Sequence, residues 1–215
     1  MGLPDIYIAI PTVRDWKAEF GVSMIGLTHR LCQLSKDGKI RGFYVNNKIT
    51  SNLPKGRQQM LDDAIDGEFT HILWIDDDTQ FDASCLEIML SRNKPWVAAN
   101  ICKKVMGGGW IAAYDGGGKV DSTGKSGIEK VGTMGLGFTL IELEPIRAIK
   151  KPHFEFRWVE QSQQYLGEDL YFALKARQHG IDIWIDHDAS NKIRHVGNYG
   201  YGAQDLTAEN KEEAA

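Results

Sequence analysis

The chain has 215 residues and a formal net charge of −4, and it lacks a long block of Lys and Arg, which excludes the basic surface of a protein that coats DNA or RNA. Its three cysteines, Cys32, Cys85 and Cys102, are an odd number without CxxC spacing, which argues against a disulfide framework or a structural zinc site and favours a reducing, cytoplasmic location. No basic stretch followed by an apolar one opens the chain, and no run of about eighteen apolar residues occurs, so we expect one α/β domain without a signal peptide or a membrane-spanning helix.

The first half of the chain alternates between β-prone runs and helical patterns. A β-prone run at 5–10 is closed by Pro11 and Thr12, which predicts a buried strand and then a turn that also carries Arg14. Repeated alternation of strand and helix implies right-handed crossovers and a mostly parallel sheet. The predicted strands are 5–10, 39–46, 71–75 and 95–101, and the predicted helices are 16–34, 54–65 and 83–92.

Three consecutive carboxylates, Asp76, Asp77 and Asp78, follow the third predicted strand. In open α/β sheets ligands bind just beyond the carboxyl ends of the strands, so these acids fall where a site is expected. Adjacent carboxylates repel one another at neutral pH, and the cluster therefore suggests a divalent cation or the phosphates that such a cation neutralises. A solvated acidic turn is the alternative interpretation.

Polar residues also flank the predicted helix 54–65. Asn46 and Asn47 begin the connection that leads to it, and a proline lies near its first turn. Lys55 and Arg57 are close to its N-terminus, where an anion is stabilised by the backbone N–H groups.

Between residues 103 and 130 glycines crowd around one short run, 110–114, that can pair as a hairpin, and we expect a flexible insertion. The stretch 118–126 resembles a phosphate-binding P-loop. However, five residues separate Gly118 from Gly124 where that loop requires four, no buried strand precedes it and no helical pattern follows it. We therefore reject a P-loop nucleotidase.

Residues 131–141 are predicted to form a glycine-spaced apolar strand, in which the bare backbone at Gly135 lets either a sugar or a neighbouring strand approach closely. A short helix at 145–150 comes next. It is followed by an aromatic loop, 151–166, whose Trp158 either stacks on a sugar or covers the core.

Charged residues reappear at the ends of the last elements. Glu168 and Asp169 open a helix, where the helix dipole stabilises acids even without a function. His195 lies in the last β-prone run. A charged, alanine-rich tail, 203–215, is either disordered or a loosely attached helix. The predicted elements of this part are a helix at 170–179 and strands at 181–185 and 193–197.

Three of these features line up in order: the apolar strand ending in Asp76-Asp77-Asp78, the Gly-Glu-Asp at 167–169 that opens a helix, and a His-x-Gly at 195–197. Together they resemble the GT-A glycosyltransferases, in particular the small soluble family-2-like enzymes, from residue 6 to about 197. The resemblance implies a single GT-A (Rossmann-like) α/β domain over 1–202, with a mostly parallel central sheet flanked by helices.

The resemblance also implies roles for individual residues. Asp76 and Asp78 match the DxD acids, of which the first contacts ribose or metal and the last binds the cation that bridges the nucleotide diphosphate. Asp169 matches the carboxylate that deprotonates the acceptor hydroxyl in inverting members, with Glu168 beside it. His195 matches a late histidine that completes the metal site in several members. The further candidates are Pro11, Thr12, Arg14, Asn46, Arg57 and Asp77 for the nucleotide sugar, and Gly135 and Trp158 for the sugar or the acceptor.

We therefore predict a glycosyltransferase that moves a hexose from a nucleoside-diphosphate sugar, UDP-linked, to a hydroxyl of a glycan or glycoconjugate. Carboxylate oxygens suit Mn²⁺ or Mg²⁺, and an imidazole ligand favours Mn²⁺. Asn46 stands where the family often has an aspartate, so the base stays open between uracil and guanine. The donor sugar, the acceptor and the oligomeric state are not predicted.

Two alternatives stay open. A sugar-1-phosphate nucleotidyltransferase shares the sheet, but it normally carries a glycine-rich loop with Arg and Lys directly after its first strand, and residues 11–16 lack one. A non-catalytic module that binds a nucleotide sugar or a glycan is the second alternative, and only the aromatic loop 151–166 favours it.

Overall fold

The computed structural model describes residues 2–197 and 200–202, in which helices cover both faces of a seven-stranded sheet. The strands are β1 (Asp5–Thr12), β2 (Gly42–Ile49), β3 (His71–Ile75), β4 (Thr79–Phe81), β5 (Trp96–Ala98), β6 (Ile128–Val131), β7 (Phe138–Glu142), β8 (Arg157–Val159), β9 (Gln164–Leu166), β10 (Ile183–Asp186), β11 (Ile193–Val196) and β12 (Gly200–Tyr201). The helices are α1 (Ala18–Lys36), α2 (Leu53–Asp66), α3 (Cys85–Ser91), α4 (Leu143–Arg147), α5 (Glu168–Gln178) and α6 (His187–Ser190).

The central sheet has the strand order β2-β1-β3-β7-β5-β10-β6. Strand β1 runs parallel to both β2 and β3, and β10 runs parallel to β5. Strand β7 lies antiparallel between β3 and β5, and β6 lies antiparallel at the edge beside β10. Most strands therefore share one direction, and the predicted α/β class, with a mostly parallel sheet between helices, is confirmed.

Alternate side chains of β1 point to opposite faces of the sheet and belong to two different hydrophobic cores. Tyr7 and Ala9 point to the face covered by α2 and α5, whereas Ile6, Ile8 and Ile10 point to the face covered by α1 and α3. Helix α1 packs on this second face by residues at helical spacing, as predicted, and each fully buried leucine contributes about 1.5–3 kcal/mol. The buried apolar residues of α1 are Phe20, Met24, Leu27, Leu31 and Leu34.

The carboxyl ends of β1, β3 and β5 meet at one edge of the sheet, because these strands share one direction. Asp76 follows β3 directly, and its backbone N–H donates to the carbonyl of Gly137 at 3.0 Å. Helix α2 begins after β2 with an Asn52 cap, whose Oδ1 accepts from the backbone N–H of Lys55 at 3.1 Å. This edge is therefore the place where the acids and the start of α2 come together.

The prediction of a single strand at 131–141 was wrong: Val131 is the last residue of β6, residues 132–137 form a connection, and β7 begins at Phe138. The two strands have different partners, since β6 pairs with β10 at the sheet edge and β7 pairs at the centre. The connection passes close to other backbone: a Cβ on Gly132 would lie 2.7 Å from the backbone nitrogen of Asp115. Sequence periodicity cannot show a change of partner within one apolar run.

Strand β2 continues to Ile49, whereas the sequence predicted its end at Asn46. Pairing with β1 extends through Thr12 and Ile49, so the neighbouring strand carries β2 past its polar residues. Asn46 consequently lies within the strand, opposite Ala9.

Residues 103–130 are packed on the domain, which differs from the expected flexible insertion. Trp110, Val120 and Ser122 are buried, and the Trp110 indole N–H donates to Asp121 Oδ1 at 2.8 Å. The predicted hairpin at 110–114 is represented only by isolated bridges, including Ala113 with Lys119. The last residues of this segment form the edge strand β6.

Short elements were missed by sequence analysis. Strand β11 pairs with β4 and with β12 in a small second sheet, of which β4 and β12 were not predicted, and β8 and β9 form a hairpin inside the predicted aromatic loop. Strands of two or three residues are stabilised by their partners and carry little local signal.

No helix in residues 2–197 or 200–202 is long and apolar enough to cross a membrane. The predicted tail at 203–215 lies outside the described residues. The domain limit at residue 202 stays a prediction.

Candidate active site

A small cleft of about 80 Å³ lies at the carboxyl edge of the sheet. Side chains from three elements far apart in sequence line it together with a glycine-containing segment before β7. These residues are Asp76 after β3, Asp169 in α5, His195 in β11, and Gly135 and Gly137. The cleft is thus smaller than a site for a drug-sized ligand, which is typically about 300 Å³ or more.

Arg57 lies buried beneath this cleft, with 3% of its surface exposed. Its Nη2 donates to Asp76 Oδ1 at 2.9 Å, and its Nε lies 3.4 Å from Glu168 Oε1. The guanidinium also lies over the Trp74 ring, 5.3 Å from the ring centroid. Arg57 thus connects the carboxylate after β3 with the start of α5.

The buried guanidinium is incompletely satisfied. Within the described residues, Arg57 Nε and Nη1 are buried and have no hydrogen-bond partner. The sequence predicted that Arg57 contacts the nucleotide sugar. Its ion pairs show a second contribution, which is to hold Asp76 and Glu168 in place.

One carboxylate oxygen of Asp169 is hydrogen-bonded to the backbone, and the other faces the cleft. Its Oδ1 accepts from the backbone N–H of Leu170 at 2.7 Å. A Cβ on Gly135 would lie 3.5 Å from Oδ2, so this oxygen faces bare backbone on the cleft side. The absence of a side chain at Gly135 leaves space beside the carboxylate.

Burial raises the pKa of Asp169 and of Glu168, and the positive charge of Arg57 opposes the increase in both. The helix dipole favours the ionised form of an acid at the start of α5, but burial has the largest influence on the pKa of Asp169. A carboxylate with a raised pKa is a stronger base, which suits proton abstraction near neutral pH.

Asp77 is engaged with the first strand. The Thr12 hydroxyl donates to Asp77 Oδ2, and the backbone N–H of Lys17 donates to the Asp77 carbonyl at 3.3 Å. Burial raises the pKa of Asp77, and its hydrogen bond with Thr12 opposes the increase. Asp77 therefore shapes the turn after β1, where Arg14 is exposed, whereas Pro11 and Thr12, predicted to close the strand, are buried residues of β1 itself.

Asp78 has two different neighbours at its two oxygens. Lys104 forms an ion pair with Oδ2, and His195 Nε2 lies 3.3 Å from Oδ1. This Oδ1 is buried, and His195 Nε2 is the polar atom beside it. Burial alone would raise the pKa of Asp78, but His195 and Lys104 together bring it below its usual value.

A hydrogen bond from the second ring nitrogen, Nδ1, fixes the orientation of the His195 ring. His195 Nδ1 lies 2.9 Å from the carbonyl oxygen of Cys102, and a carbonyl only accepts, so Nδ1 donates. In the neutral ring Nε2 then carries a lone pair, and it lies 3.3 Å from Asp78 Oδ1. Metal-binding histidines are commonly held by this kind of Nδ1–H to carbonyl bond, which leaves Nε2 as the ligand nitrogen.

The predicted metal ligands fit a divalent cation by their chemistry, although they are not assembled around one point. In residues 2–197 and 200–202 no group of three or more His, Cys, Asp or Glu side chains forms a ready metal site. Asp78 and His195 are adjacent, whereas Asp76 is turned to Arg57. A carboxylate with a buried oxygen beside an imidazole nitrogen is a donor pair suited to Mn²⁺.

The structure does not bring Asn46 or Trp158 to the cleft lining. The Asn46 amide donates to the Tyr7 hydroxyl near Asp63 of α2, so it lies beside the sheet face covered by that helix. Trp158 is 42% exposed on β8 and packs edge-on against Tyr165 with ring centroids 5.1 Å apart.

Several residues of the site carried no recognised sequence signal. Trp16, which follows β1, donates through its indole N–H to Oδ1 of Asn47 in β2 at 3.2 Å, so both lie near the same edge of the sheet. Asn100 is 1% exposed and lines the cleft, and its amide donates to the carbonyl of Val120 at 2.7 Å. Its place near the carboxyl end of the predicted strand 95–101 was the one signal that could have identified Asn100. Lys104 had none.

No family model matches the sequence, and no curated protein matches it either. Among solved structures, A197 from STIV is similar with a TM-score of 0.61 and 18% identity, over 94% of this chain and 92% of that one. TarS 1-349 from S. aureus, solved in complex with UDP-GlcNAc, is similar with a TM-score of 0.53 and 13% identity over 97% of this chain, which spans 64% of that structure. At these identities the likeness concerns the fold, and it agrees with the predicted GT-A type of α/β architecture.

Proposed function

We propose that the chain is a cation-dependent glycosyltransferase that moves a hexose from a UDP-linked sugar to a hydroxyl of a glycan or glycoconjugate. The observation that carries the proposal is the convergence of Asp76, Asp169 and His195 on one cleft at the carboxyl edge of the sheet, with Asp78 against His195. The donor class is further supported by the similar fold of TarS, which was solved with UDP-GlcNAc.

On the donor side, Asp78 and His195 would hold Mn²⁺, or Mg²⁺, with Asp76 beside them. The cation supplies positive charge where negative charge develops on the departing diphosphate. Asp76 is held by Arg57 at 2.9 Å, so its carboxylate is oriented before the nucleotide arrives. The turn after β1, which Thr12 and Asp77 stabilise by their hydrogen bond, is the proposed support for the nucleotide.

On the acceptor side, Asp169 accepts the proton of the attacking hydroxyl. The hydroxyl oxygen forms a bond to the anomeric carbon while the bond from that carbon to the diphosphate oxygen breaks, and the electron pair leaves with UDP. A single displacement of this kind inverts the anomeric centre. Oδ2 is the oxygen that takes the proton, since Oδ1 already accepts from the Leu170 N–H.

Glu168 has a different role in this proposal. It is 6% exposed and its Oε1 lies 3.4 Å from Arg57 Nε, so it is a positioning residue that fixes the start of α5. In this proposal Arg57 orients Asp76 on the donor side of the anomeric carbon and Glu168 on the acceptor side. Trp158 and Gly135 remain the proposed contacts of acceptor and sugar, of which Gly135 lies at the cleft.

The test is a screen of UDP- and GDP-sugars with Mn²⁺, in which released nucleoside diphosphate is measured with and without a chelator. We expect consumption of a UDP-sugar that stops when the chelator is added. A nucleotidyltransferase would instead form pyrophosphate from a nucleoside triphosphate and a sugar 1-phosphate, and a binding module would retain a nucleotide sugar unchanged. Either of those results would contradict the proposal.

A further inference from the structure

One cationic side chain lies against the acids of the site without a part in the proposed chemistry. Lys104 Nζ forms an ion pair with Asp78 Oδ2, and the two side chains are 34% and 23% exposed. The other oxygen of the same carboxylate lies 3.3 Å from His195 Nε2. The ammonium group therefore contacts the carboxylate that the proposed function assigns to the divalent cation.

The segment that carries Lys104 is fastened to the other proposed cation ligand. It starts at Cys102, whose carbonyl accepts from His195 Nδ1 at 2.9 Å. It then turns tightly, with the backbone N–H of Gly108 donating to the Val105 carbonyl at 2.8 Å. A Cβ on Gly108 would lie 2.8 Å from that carbonyl oxygen, so glycine fits this turn and a larger residue does not. Lys104 and His195 are thus held on opposite oxygens of Asp78 by one piece of backbone.

The charges around the cleft explain why a lysine is there. Asp76 is compensated by Arg57, whereas Asp78 lies partly buried next to Asp77 and needs a cation of its own. The Lys104 ammonium supplies that charge. A divalent cation bound to the same carboxylate would repel the ammonium at close range, so both cannot occupy Asp78 favourably at once.

We propose that Lys104 is a displaceable cation. In the nucleotide-free protein its ammonium pairs with Asp78. When the divalent cation binds Asp78, the ammonium leaves that carboxylate and binds the diphosphate of the donor. The inference rests on the proposed function. A lysine ammonium is a compact charge on a flexible stem and binds phosphate well, so the diphosphate offers it a new partner. The cation and the nucleotide should therefore bind cooperatively, each improving the affinity for the other.

The test measures binding and needs no turnover. Mn²⁺ is titrated calorimetrically into wild-type protein, Lys104→Met and Lys103→Met without nucleotide, and UDP is then titrated at saturating Mn²⁺. Lys103 is the matched control, because it is the exposed neighbour with the same charge. We expect Lys104→Met to bind Mn²⁺ about 10-fold more tightly than wild type and UDP about 10-fold more weakly, while Lys103→Met resembles wild type.

A third variant, Lys104→Arg, keeps the charge and should keep the weak Mn²⁺ affinity of the wild type. Equal Mn²⁺ affinity of Lys104→Met and wild type, or an equal gain in Lys103→Met, would overturn the competition and leave the proposed function standing. Unchanged UDP affinity in Lys104→Met would overturn the diphosphate contact. Failure of all the proteins to bind Mn²⁺ and UDP would overturn the proposed function itself.

Discussion

Replacing Arg57 by Met should destabilise the protein more than any exposed ion-pair substitution. The change keeps an unbranched side chain of similar length and removes the charge between Asp76 and Glu168. Breaking a buried ion pair costs about 3–5 kcal/mol, because it leaves a buried charge without compensation. The Asp76 side chain is 33% exposed and can regain water, whereas Glu168 at 8% cannot. We therefore expect a loss near the lower limit, about 3 kcal/mol.

The loss should depend on pH in a defined direction. The pKa of both Glu168 and Asp169 is raised by burial in the folded protein, and Arg57 opposes that increase. An acid with a raised folded-state pKa stabilises the fold at pH below its ordinary pKa, and this stabilisation is lost as the pH rises through the raised value. Removal of Arg57 raises both pKa values further, so its cost is largest near pH 7.5 and decreases toward pH 5.

Urea denaturation at pH 7.5 and pH 5 gives the free energy of unfolding of wild type and variant. The control is Arg30→Met, whose ion pair with Glu87 has side chains 34% and 28% exposed and should contribute at most about 1 kcal/mol. Equal losses in Arg57→Met and Arg30→Met would refute the argument from burial. A loss in Arg57→Met that grows as the pH falls would refute the assignment of the effect to the buried acids.

Three further variants test the proposed chemistry. Asp169→Asn removes the base and preserves the shape, so transfer in a coupled UDP-release assay should fall by about 10²-fold or more, while UDP and Mn²⁺ binding stay nearly unchanged. Asp78→Ala removes a cation ligand, and calorimetric titration of UDP in the presence of Mn²⁺ should show much weaker binding. His195→Ala should weaken Mn²⁺ affinity by about 10-fold or more, with the melting temperature as the control for a structural role.

Each of these expectations has a contrary result. Full activity of Asp169→Asn would remove that residue from the catalytic role, and a product with retained anomeric configuration by NMR would exclude the single displacement. Wild-type UDP affinity in Asp78→Ala would contradict its assignment as a cation ligand. A His195→Ala protein that melts earlier and keeps its Mn²⁺ affinity would have lost a structural histidine.

Local patterns predicted much of the fold. The period of two in β1 and the helical spacing of Phe20, Met24 and Leu27 report which faces are buried, and burial of those faces is what stabilises the elements. These patterns predicted the wrong bounds where pairing with another strand determines where an element begins or ends. Strand β2 extends to Ile49 because β1 is its neighbour. The run at 131–141 leaves the sheet after Val131 and enters it again at Phe138, because β6 and β7 pair in different parts of the sheet.

For the candidate site, the sequence by itself determined that Asp76, Asp77 and Asp78 follow a buried strand and that Asp169 begins a helix. Strand direction and hydrophobic periodicity are local properties, and they put these acids at the carboxyl edge. Only the tertiary structure decided which charges meet. Arg57 lies between Asp76 and Glu168, and Lys104 lies on Asp78, because packing brings these groups together. Ion pairing and desolvation depend on distance in space and on burial, and no spacing of residues along the chain encodes either.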